Sequence, residues 1–386
     1  MRSSAALLAL WLAVGPGATR SAVGPIAAAS PAPSAPAWRA AAPGHAWAFP
    51  RDHSSHPGYR NEWWYFTGTL RAQDVPGQRF GYQVTFFRVG LSPSRPAEGS
   101  AWGATDVLMG HAAVTDLATG KHVFSEVLYR AIPLLGGFGE PPDPLLAWSR
   151  GPPGTGTRWE LWRDGEGFAL AVADAAQGMS LHLSLEPSRP PVLQGPGGLS
   201  RKAERDGFAS LYYSLTRLST GGVVTVDGRT WPVRGESWMD KEFGSSQLAP
   251  DQAGWDWFAL RLADGRDLML YVLRGKAGAA DFGHGTLVEP DGRPRWLDAG
   301  DFRIRATRRW RSPATGADYP AGWDVEVPAA ELSLRIEPEV ADQENRGGSA
   351  PFYWEGAVRV IGVGGSPAGE GYVELTGYGE GNRPPI

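Results

Sequence analysis

The sequence predicts an all-β protein made of two similar halves in tandem. An aromatic segment at residues 63–70 recurs at residues 255–262, and each copy continues through a polar turn into a second apolar run closed by arginine, at residues 82–88 and 268–274. A unit that recurs about once per half-chain is far longer than the repeat of a solenoid or a propeller. Since 386 residues suffice for two packed domains, the repeat predicts two related domains.

Turn residues throughout the chain support the all-β prediction. The 52 Gly and 33 Pro leave little room for long helices, and no convincing amphipathic pattern extends beyond three helical turns. Asp-Gly pairs between alternating segments are typical of β-hairpins. Such pairs begin at Asp164, Asp206, Asp227, Asp264 and Asp291. Many short strands at close turn spacing form barrels or sandwiches, and the residues alone leave both open.

Alternation along the repeated strand predicts which face is interior. In the second copy, Asp256 and Phe258 share one face with the leucines that follow them, whereas Trp257 lies on the other face. We expect the first face to be the interior one. Phe66 is the counterpart of Phe258, and its face in the first copy begins with Glu62 and also carries Trp64. Each copy therefore opens with a carboxylate on its inward face, at the strand end where a barrel has its mouth.

The N-terminus has the composition of an export signal. Arg2 precedes an apolar run at residues 5–14, which is too short to span a bilayer as a helix but suits a signal peptide. We expect a signal peptide at residues 1–22 and a periplasmic or secreted protein. Residues 23–47 are rich in Ala, Pro and Ser, and this composition predicts a disordered leader.

After the leader, two domains are expected, at residues 48–235 and 236–386. The net charge of −4 provides no basic surface for nucleic acid, so a neutral small molecule is the expected partner. The 17 Trp, 14 Phe and 11 Tyr predict filled barrel interiors, a site for a large apolar ligand, or both. No segment after the signal is long enough to span a membrane as a helix.

The sequence lacks the residues and motifs that several kinds of chemistry require. Without cysteine, the chain has no disulfides, no thiolate metal site and no cysteine nucleophile. It also has no phosphate-binding P-loop and no HExxH motif, and Ser237 lacks the flanking residues of a nucleophile elbow. We therefore expect no cofactor and no metal.

The segment at residues 235–244 contains three acids, a lysine and two aromatic residues, between the two halves. One interpretation is a general acid at Asp240, because burial beside Trp238 and Phe243 raises the pKa of a carboxyl group. The other interpretation is a structural crossover between the domains, in which Asp240 caps a turn or pairs with Lys241. We take Asp240 as the first catalytic candidate.

A second group of candidates lies at residues 52–65. His53 and His56 have the spacing of metal ligands, but no third ligand follows at motif spacing, and hydrogen bonds at the domain junction are the alternative. Glu62 and Tyr65 are candidate acids or bases, with core packing and a paired carboxylate as the alternative. Trp64, on the same segment, is expected to face the ligand, and Tyr65 and His53 are further candidate ligand-binding residues. His111 and His284, between small residues in predicted strands, are structural or point into a cavity.

Aromatic motifs occur along the whole chain, at His56-Pro57, residues 62–68, 237–244 and 254–258, Tyr319-Pro320 with Trp323, and residues 353–356 and 371–378. These motifs resemble those of the AttH and carotenoid hydratase family of predicted secreted hydrolases. The resemblance covers nearly everything after residue 48. It implies two tandem lipocalin-like antiparallel β-barrels with a ligand site in or between them. Relatives include hydratases that add water to an isolated double bond without a cofactor.

Together, the residues and the resemblance predict an exported protein that binds a large apolar molecule of isoprenoid, lipid or polyketide-like type. In the catalytic interpretation, Asp240 or Asp256 protonates a double bond and tryptophan faces stabilise the cation. The tryptophans expected there are Trp238, Trp255 and Trp257. The same acids in ionised form would support ester hydrolysis. The alternative is a non-catalytic carrier or scaffold.

Overall fold

The architecture is all-β, as the turn-rich composition predicts. A computed structural model describes residues 37–94, 100, 102–349 and 351–384. The predicted signal peptide and most of the predicted leader lie outside the described residues. Among the described residues, no helix is long and apolar enough to cross a membrane. The short 3-10 helices span Arg51–His53, Pro196–Gly198, Pro328–Ala330 and Val363–Gly365.

The strands form two large antiparallel sheets and one small pair. The first sheet contains β1 (Asn61–Ala72), β2 (Arg79–Gly90), β3 (Asp106–Asp116), β4 (Lys121–Arg130), β5 (Gly136–Phe138), β6 (Leu145–Arg150), β7 (Arg158–Asp164), β8 (Gly167–Asp174), β9 (Met179–Pro187), β10 (Val192–Leu193), β11 (Leu199–Arg201), β12 (Ala209–Val226) and β13 (Arg229–Ser246). The second contains β14 (Gln252–Leu262), β15 (Asp267–Gly275), β16 (Ala280–Val288), β17 (Pro294–Asp298), β18 (Arg303–Ala306), β21 (Trp323–Val327), β22 (Leu332–Pro338), β23 (Glu344–Asn345), β24 (Tyr353–Ile361) and β25 (Pro367–Leu375). The small pair is β19 (Arg309–Arg311) with β20 (Asp318–Pro320).

The two sheets share one plan, as the internal repeat predicts. In the first sheet, β1 lies between β2 and the last strand, β13; in the second, β14 lies between β15 and the last strand, β25. Phe66 is opposite Val84 and Phe258 is opposite Leu270, so the aligned phenylalanines have corresponding registers. The first sheet curls into a nearly closed barrel and the second into a half-barrel.

Both faces of the repeated strands are buried. Trp64 and Phe66 belong to the core of the first sheet and Phe258 to the core of the second, as alternation predicts. The opposite faces carry Tyr65 and Trp257, whose rings meet edge to face at 5.1 Å in a third apolar cluster formed by both sheets. The outward faces of the two sheets therefore pack against each other, and this contact is where the cavity described below lies.

The segment at residues 235–244 is not a crossover between the halves, which corrects one of the two sequence interpretations. It lies within β13, which pairs with β1 on one side and β12 on the other. Trp238 contacts the second sheet, whereas Met239 belongs to the core of the first. The predicted boundary after residue 235 falls inside β13, and the connection to the second sheet follows Ser246. The division into two domains stays a prediction.

Gly81 in β2 lies where the two sheets touch. A Cβ atom at Gly81 would be 2.6 Å from the Tyr372 hydroxyl oxygen and 2.9 Å from the Ala357 Cβ. We expect Gly81→Leu to lower the free energy of unfolding by about 1–3 kcal/mol, because the side chain forces the sheets apart. Gly300→Leu is the control, because a Cβ there meets nothing within 4 Å. Chemical denaturation measures both, and equal losses in the two variants would refute the contact.

Candidate functional site

A cavity of about 450 Å³ lies between the two sheets. Its walls are largely apolar and aromatic, and they are built mainly from the outward faces of β1–β4, β12–β15, β24 and β25. The apolar and aromatic lining includes Trp63, Tyr65, Phe87, Met109, Tyr212, Trp255, Trp257, Tyr271, Leu273, Phe352 and Tyr353. An apolar cavity with a few polar groups is typical of a small-molecule site.

Besides Glu62, which is described below, four carboxyl groups line this cavity: Asp240, Glu242, Glu355 and Glu374. They differ in the neighbouring groups that compensate the charge of the ionised carboxylate. Glu242 pairs with the Lys202 ammonium at 2.7 Å and also accepts a hydrogen bond from a serine hydroxyl. The other three have no cationic partner among the ion pairs of the described residues. Burial of an uncompensated carboxyl favours its neutral form.

Glu355 and Glu374 face each other directly across β24 and β25. Side chains at such positions lie about 5 Å apart at Cβ, so two carboxylates there repel each other. Burial, together with the facing Glu374, raises the pKa of Glu355 well above its usual range. Burial raises the pKa of Glu374 to about 7. At neutral pH the pair therefore holds at least one proton.

Glu355 also has few hydrogen bonds. Glu355 is 2% exposed, and neither of its carboxyl oxygens has a well-formed hydrogen-bond partner. The hydroxyls of Tyr65 and Tyr353 lie beside it. Glu374, in contrast, accepts a hydrogen bond of 3.0 Å from the Trp255 indole nitrogen. The proton of the pair is therefore expected on Glu355, because Glu374 in its ionised form keeps the Trp255 indole as a donor and neither oxygen of Glu355 has a comparable one.

Asp240, the first candidate from sequence, lines the same cavity but is held by three donors. The Ser214 hydroxyl and the Trp238 indole donate to Oδ1 at 2.5 and 2.7 Å. The Tyr212 hydroxyl donates to Oδ2 at 2.5 Å and itself accepts from the Trp257 indole at 3.2 Å. Burial raises the pKa of Asp240 to about 7 despite these donors. Its catalytic role stays a prediction, and the geometry equally suits the positioning of Tyr212.

Glu62 reaches the cavity wall as part of a buried ion-pair group. Its carboxylate accepts from Arg88 Nε at 2.8 Å and His56 Nδ1 at 2.7 Å, and it contacts the Lys241 ammonium. Burial alone would favour the neutral acid, but Lys241, His56 and Arg88 hold the pKa of Glu62 well below its usual range. Glu62 is therefore a bound anion rather than a proton donor, the paired arrangement that the sequence left open.

Asp256 lies on the opposite face of β14 from the cavity. It pairs with Arg274 Nε at 2.8 Å and accepts from the Tyr378 hydroxyl at 3.0 Å. Burial raises the pKa of Asp256, although Arg274 and Tyr378 oppose this. Asp256 is not among the described residues that line the cavity, so the structure does not bring Asp240 and Asp256 together at one site.

The two carboxylates that open the repeats have comparable partners. Arg88 and Arg274 close the second strand of each copy, at corresponding registers, and each binds the carboxylate that opens its own copy. Each arginine also donates to backbone carbonyls through its Nη2. Each ion pair links the first two strands of its copy near their ends. Glu62 and Asp256 therefore have a structural role that explains their presence without catalysis.

Some of the predicted ligand-binding aromatic residues line the cavity and others do not, depending on which face of their strand they occupy. Tyr65, Trp255 and Trp257 line the cavity. Trp238 lies behind it as a donor to Asp240. Trp64 is inside the first sheet, where its ring lies 3.5 Å from the Lys241 ammonium and its indole donates to the His53 carbonyl.

His53 also lies on the first-sheet side. Its Nδ1 is 2.6 Å from the Tyr213 hydroxyl, and its ring packs edge to face against Phe168 in the core of that sheet. His53 is not among the described residues that line the cavity. Its predicted part in ligand binding stays untested.

Sequence reasoning missed Glu355 and Glu374, although both lie in motifs that carry the family resemblance. The available signal was alternation. Glu355 alternates with Trp354, and Glu374 lies between Val373 and Leu375, so each carboxyl occupies the outward phase of an otherwise apolar strand. A strand of this pattern predicts either that its outward face is solvated or that the acid on it is buried. The contact between the two sheets, which the sequence does not show, determines that the acid is buried.

His45, Asp52 and His56 are the described residues that are close enough to hold a metal ion, with ligand atoms within 4.8 Å of one another. Their atoms already bind one another. His56 Nε2 is 3.1 Å from Asp52 Oδ1 and His45 Nε2 is 3.3 Å from Asp52 Oδ2. His56 bridges Asp52 and Glu62, so this group is satisfied as a hydrogen-bonded network.

Comparison with known proteins identifies the family. The sequence profile of the AttH-like family matches residues 40–378. The chain belongs to the AttH-like family. The crystal structure of a candidate AttH protein from Nitrosomonas europaea is similar with a TM-score of 0.77 and 32% identity, over 88% of this chain and 99% of that one. A search of curated proteins finds no match.

A second solved structure extends the likeness of the fold. Kievitone hydratase from Nectria haematococca is similar with a TM-score of 0.62 and 13% identity, over 85% of this chain and 92% of that one. These comparisons confirm the AttH-like resemblance and the tandem lipocalin-like fold.

The raised pKa of Glu374 predicts a pH-dependent stability for this AttH-like protein. The usual value is 4.5 and the folded value is about 7, so the folded state binds a proton that the unfolded state has lost between those values. Stability therefore falls as pH rises from about 4.5 through about 7. We expect Glu374→Gln to raise the free energy of unfolding at about pH 8, by up to about 3 kcal/mol, with little effect near pH 4.

Denaturation at several pH values measures this effect. Glu326→Gln is the matched control, because Glu326 is an exposed glutamate of β21 in the same sheet. A stability difference between wild type and Glu374→Gln that does not change with pH would contradict the assignment.

Proposed function

We propose that this AttH-like protein binds a large apolar molecule between its two sheets and adds water to one of its carbon–carbon double bonds by acid catalysis, without a cofactor. The molecule is of isoprenoid, lipid or polyketide-like type. We further propose that the chain is exported and acts in the periplasm or outside the cell, with its two sheets as separate domains of the mature protein.

The observation that carries this proposal is the pair Glu355 and Glu374. A buried carboxyl that faces a second carboxyl keeps its proton near neutral pH, which is the property required of a general acid. Glu355 combines that property with carboxyl oxygens that lack a well-formed hydrogen bond and with a place on the cavity wall. Asp240 shares the cavity, but its oxygens already accept from three donors.

The surroundings of Glu355 suit the cation that protonation of an alkene produces. Trp255, Trp257 and Tyr65 line the cavity, and aromatic faces stabilise cations at short distance. Glu374, once ionised, adds a negative charge in a space of low dielectric constant, where its effect on a cation is large. Water then adds to the cation and gives an alcohol. The structural likeness to kievitone hydratase supports the proposal, because that fold accommodates a protein named as a hydratase.

Glu355→Gln tests the acid directly. We expect the variant to keep ligand binding and to lose about two to four orders of magnitude in hydration rate, because the amide keeps the shape but delivers no proton. The probe is farnesol, a prenyl alcohol with isolated double bonds, and the product is measured by mass spectrometry. Glu326→Gln is the matched control and should match wild type.

Three results would redirect this proposal. If Asp240→Asn abolishes hydration in a folded protein while Glu355→Gln does not, Asp240 is the acid. If wild type binds many apolar molecules and converts none, the protein is a carrier. If it instead hydrolyses esters, the ionised carboxyl groups act as general bases.

A further inference from the structure

His111 on β3 faces the second sheet, where it lines the cavity and is 3% exposed. Its Nδ1 lies 2.8 Å from the Tyr353 hydroxyl on β24, and its ring stacks on the Tyr353 ring. Its Nε2 is buried and has no hydrogen-bond partner. A buried imidazole nitrogen without a partner, in the wall of an apolar cavity, is costly unless something in the cavity binds it.

Tyr353 connects His111 to the proposed acid. Its hydroxyl is 2.8 Å from His111 Nδ1, and it is also a neighbour of the Glu355 carboxyl group, whose pKa it acts to lower. A tyrosine hydroxyl has one proton to donate. If Tyr353 donates to Glu355, the imidazole must donate its Nδ1 proton to Tyr353, and Nε2 is left without a proton.

This arrangement is the one that leaves the Glu355 proton available. In the opposite arrangement, Glu355 donates to Tyr353 and Tyr353 donates to His111, so the acid has no proton for a substrate. Burial lowers the pKa of His111 to about 3, which keeps the imidazole neutral in either arrangement. The proposed function therefore requires that Nε2 of His111, a residue of the cavity wall, carries no proton.

We propose that His111 is the second catalytic residue of the hydration, and that its Nε2 binds the attacking water and takes a proton from it. The proposal rests on the proposed function and assigns the base that the reaction needs. His111 is on the first sheet and Glu355 on the second, so the two act from opposite walls of the cavity.

The reaction balances without any other reactant. Glu355 gives its proton to one alkene carbon, and the π electrons form the C–H bond, which leaves a cation at the other carbon. A lone pair of water forms the C–O bond, and the proton released from that water goes to His111 Nε2. The Nδ1 proton passes to Tyr353, and the Tyr353 proton passes to Glu355. Cavity water then takes the Nε2 proton and returns a proton to Glu355, while the relay protons shift back to Tyr353 and Nδ1, which restores the starting tautomer.

Water that has added to a cation is a strongly acidic oxonium, so a weakly basic imidazole is sufficient to accept its proton. Glu374 is the other group near enough to compete for this role. It already binds the Trp255 indole and faces the acid across the strand pair.

Nitrogen NMR of the full chain with 15N-labelled histidine tests the tautomer without any substrate. His111→Asn identifies the His111 signals by their loss. We expect neutral His111 with its proton on Nδ1 at neutral pH, and a loss of that preference in Tyr353→Phe. A proton on Nε2, or a charged ring, in wild type would overturn the proposal.

Farnesol in D2O tests the role in the reaction. His111→Asn keeps an amide near the Nδ1 position but removes Nε2, so it should still exchange deuterium into recovered farnesol through Glu355. Hydration should fall by about two to four orders of magnitude. Glu355→Gln should lose both exchange and hydration. His284→Asn is the matched control, because His284 is on β16 and is not among the described residues that line the cavity; it should match wild type.

Two results in this second experiment would overturn the assignment. Hydration at the wild-type rate by His111→Asn would place the base elsewhere, with Glu374 next. Loss of exchange as well as hydration in a folded His111→Asn, with His111→Gln as a second variant, would show that His111 acts before water adds. If wild type neither exchanges nor hydrates, the proposed function fails for this probe, and the nitrogen spectrum still decides whether a bare Nε2 faces the cavity.

Discussion

Glu355 and Glu374 face each other across antiparallel strands with little water around them, and two negative charges at that spacing repel strongly in a medium of low dielectric constant. The protein avoids this by retaining a proton. A buried carboxyl with few hydrogen bonds still costs on the order of 1–3 kcal/mol, so the apolar cores of the two sheets must supply that stability. The carboxyl pair therefore lowers the stability of the folded protein at the site of the proposed chemistry.

The other buried acids show what compensation looks like in the same molecule. Glu62 has Arg88, Lys241 and His56 around it, and its charge is fixed. Asp256 has Arg274 and a tyrosine hydroxyl. Glu355 and Glu374 lack such cationic partners among the described residues, although other buried carboxylates of the same protein have them. This difference sets the pair apart from Glu62 and Asp256.

The sequence predicted the fold well and the site only in part, for a physical reason. Alternation correctly placed Trp64, Phe66 and Phe258 in the interiors, because one side of each repeated strand is apolar in a regular pattern. It could not show that the outward faces meet. Strands such as β13 are buried on both sides, so their alternation is not visible, and Glu355 and Glu374 come together only through the pairing of β24 with β25 and the contact between the sheets.

The proposed hydration requires Glu355 to be a neutral carboxylic acid at neutral pH. Infrared difference spectroscopy of wild type against Glu355→Gln at about pH 7 reports this protonation state. We expect the variant to lose the C=O stretch of a protonated carboxyl, and this band to shift in D2O. If the variant loses only the bands of an ionised carboxylate, Glu355 is charged at neutral pH and is not the acid.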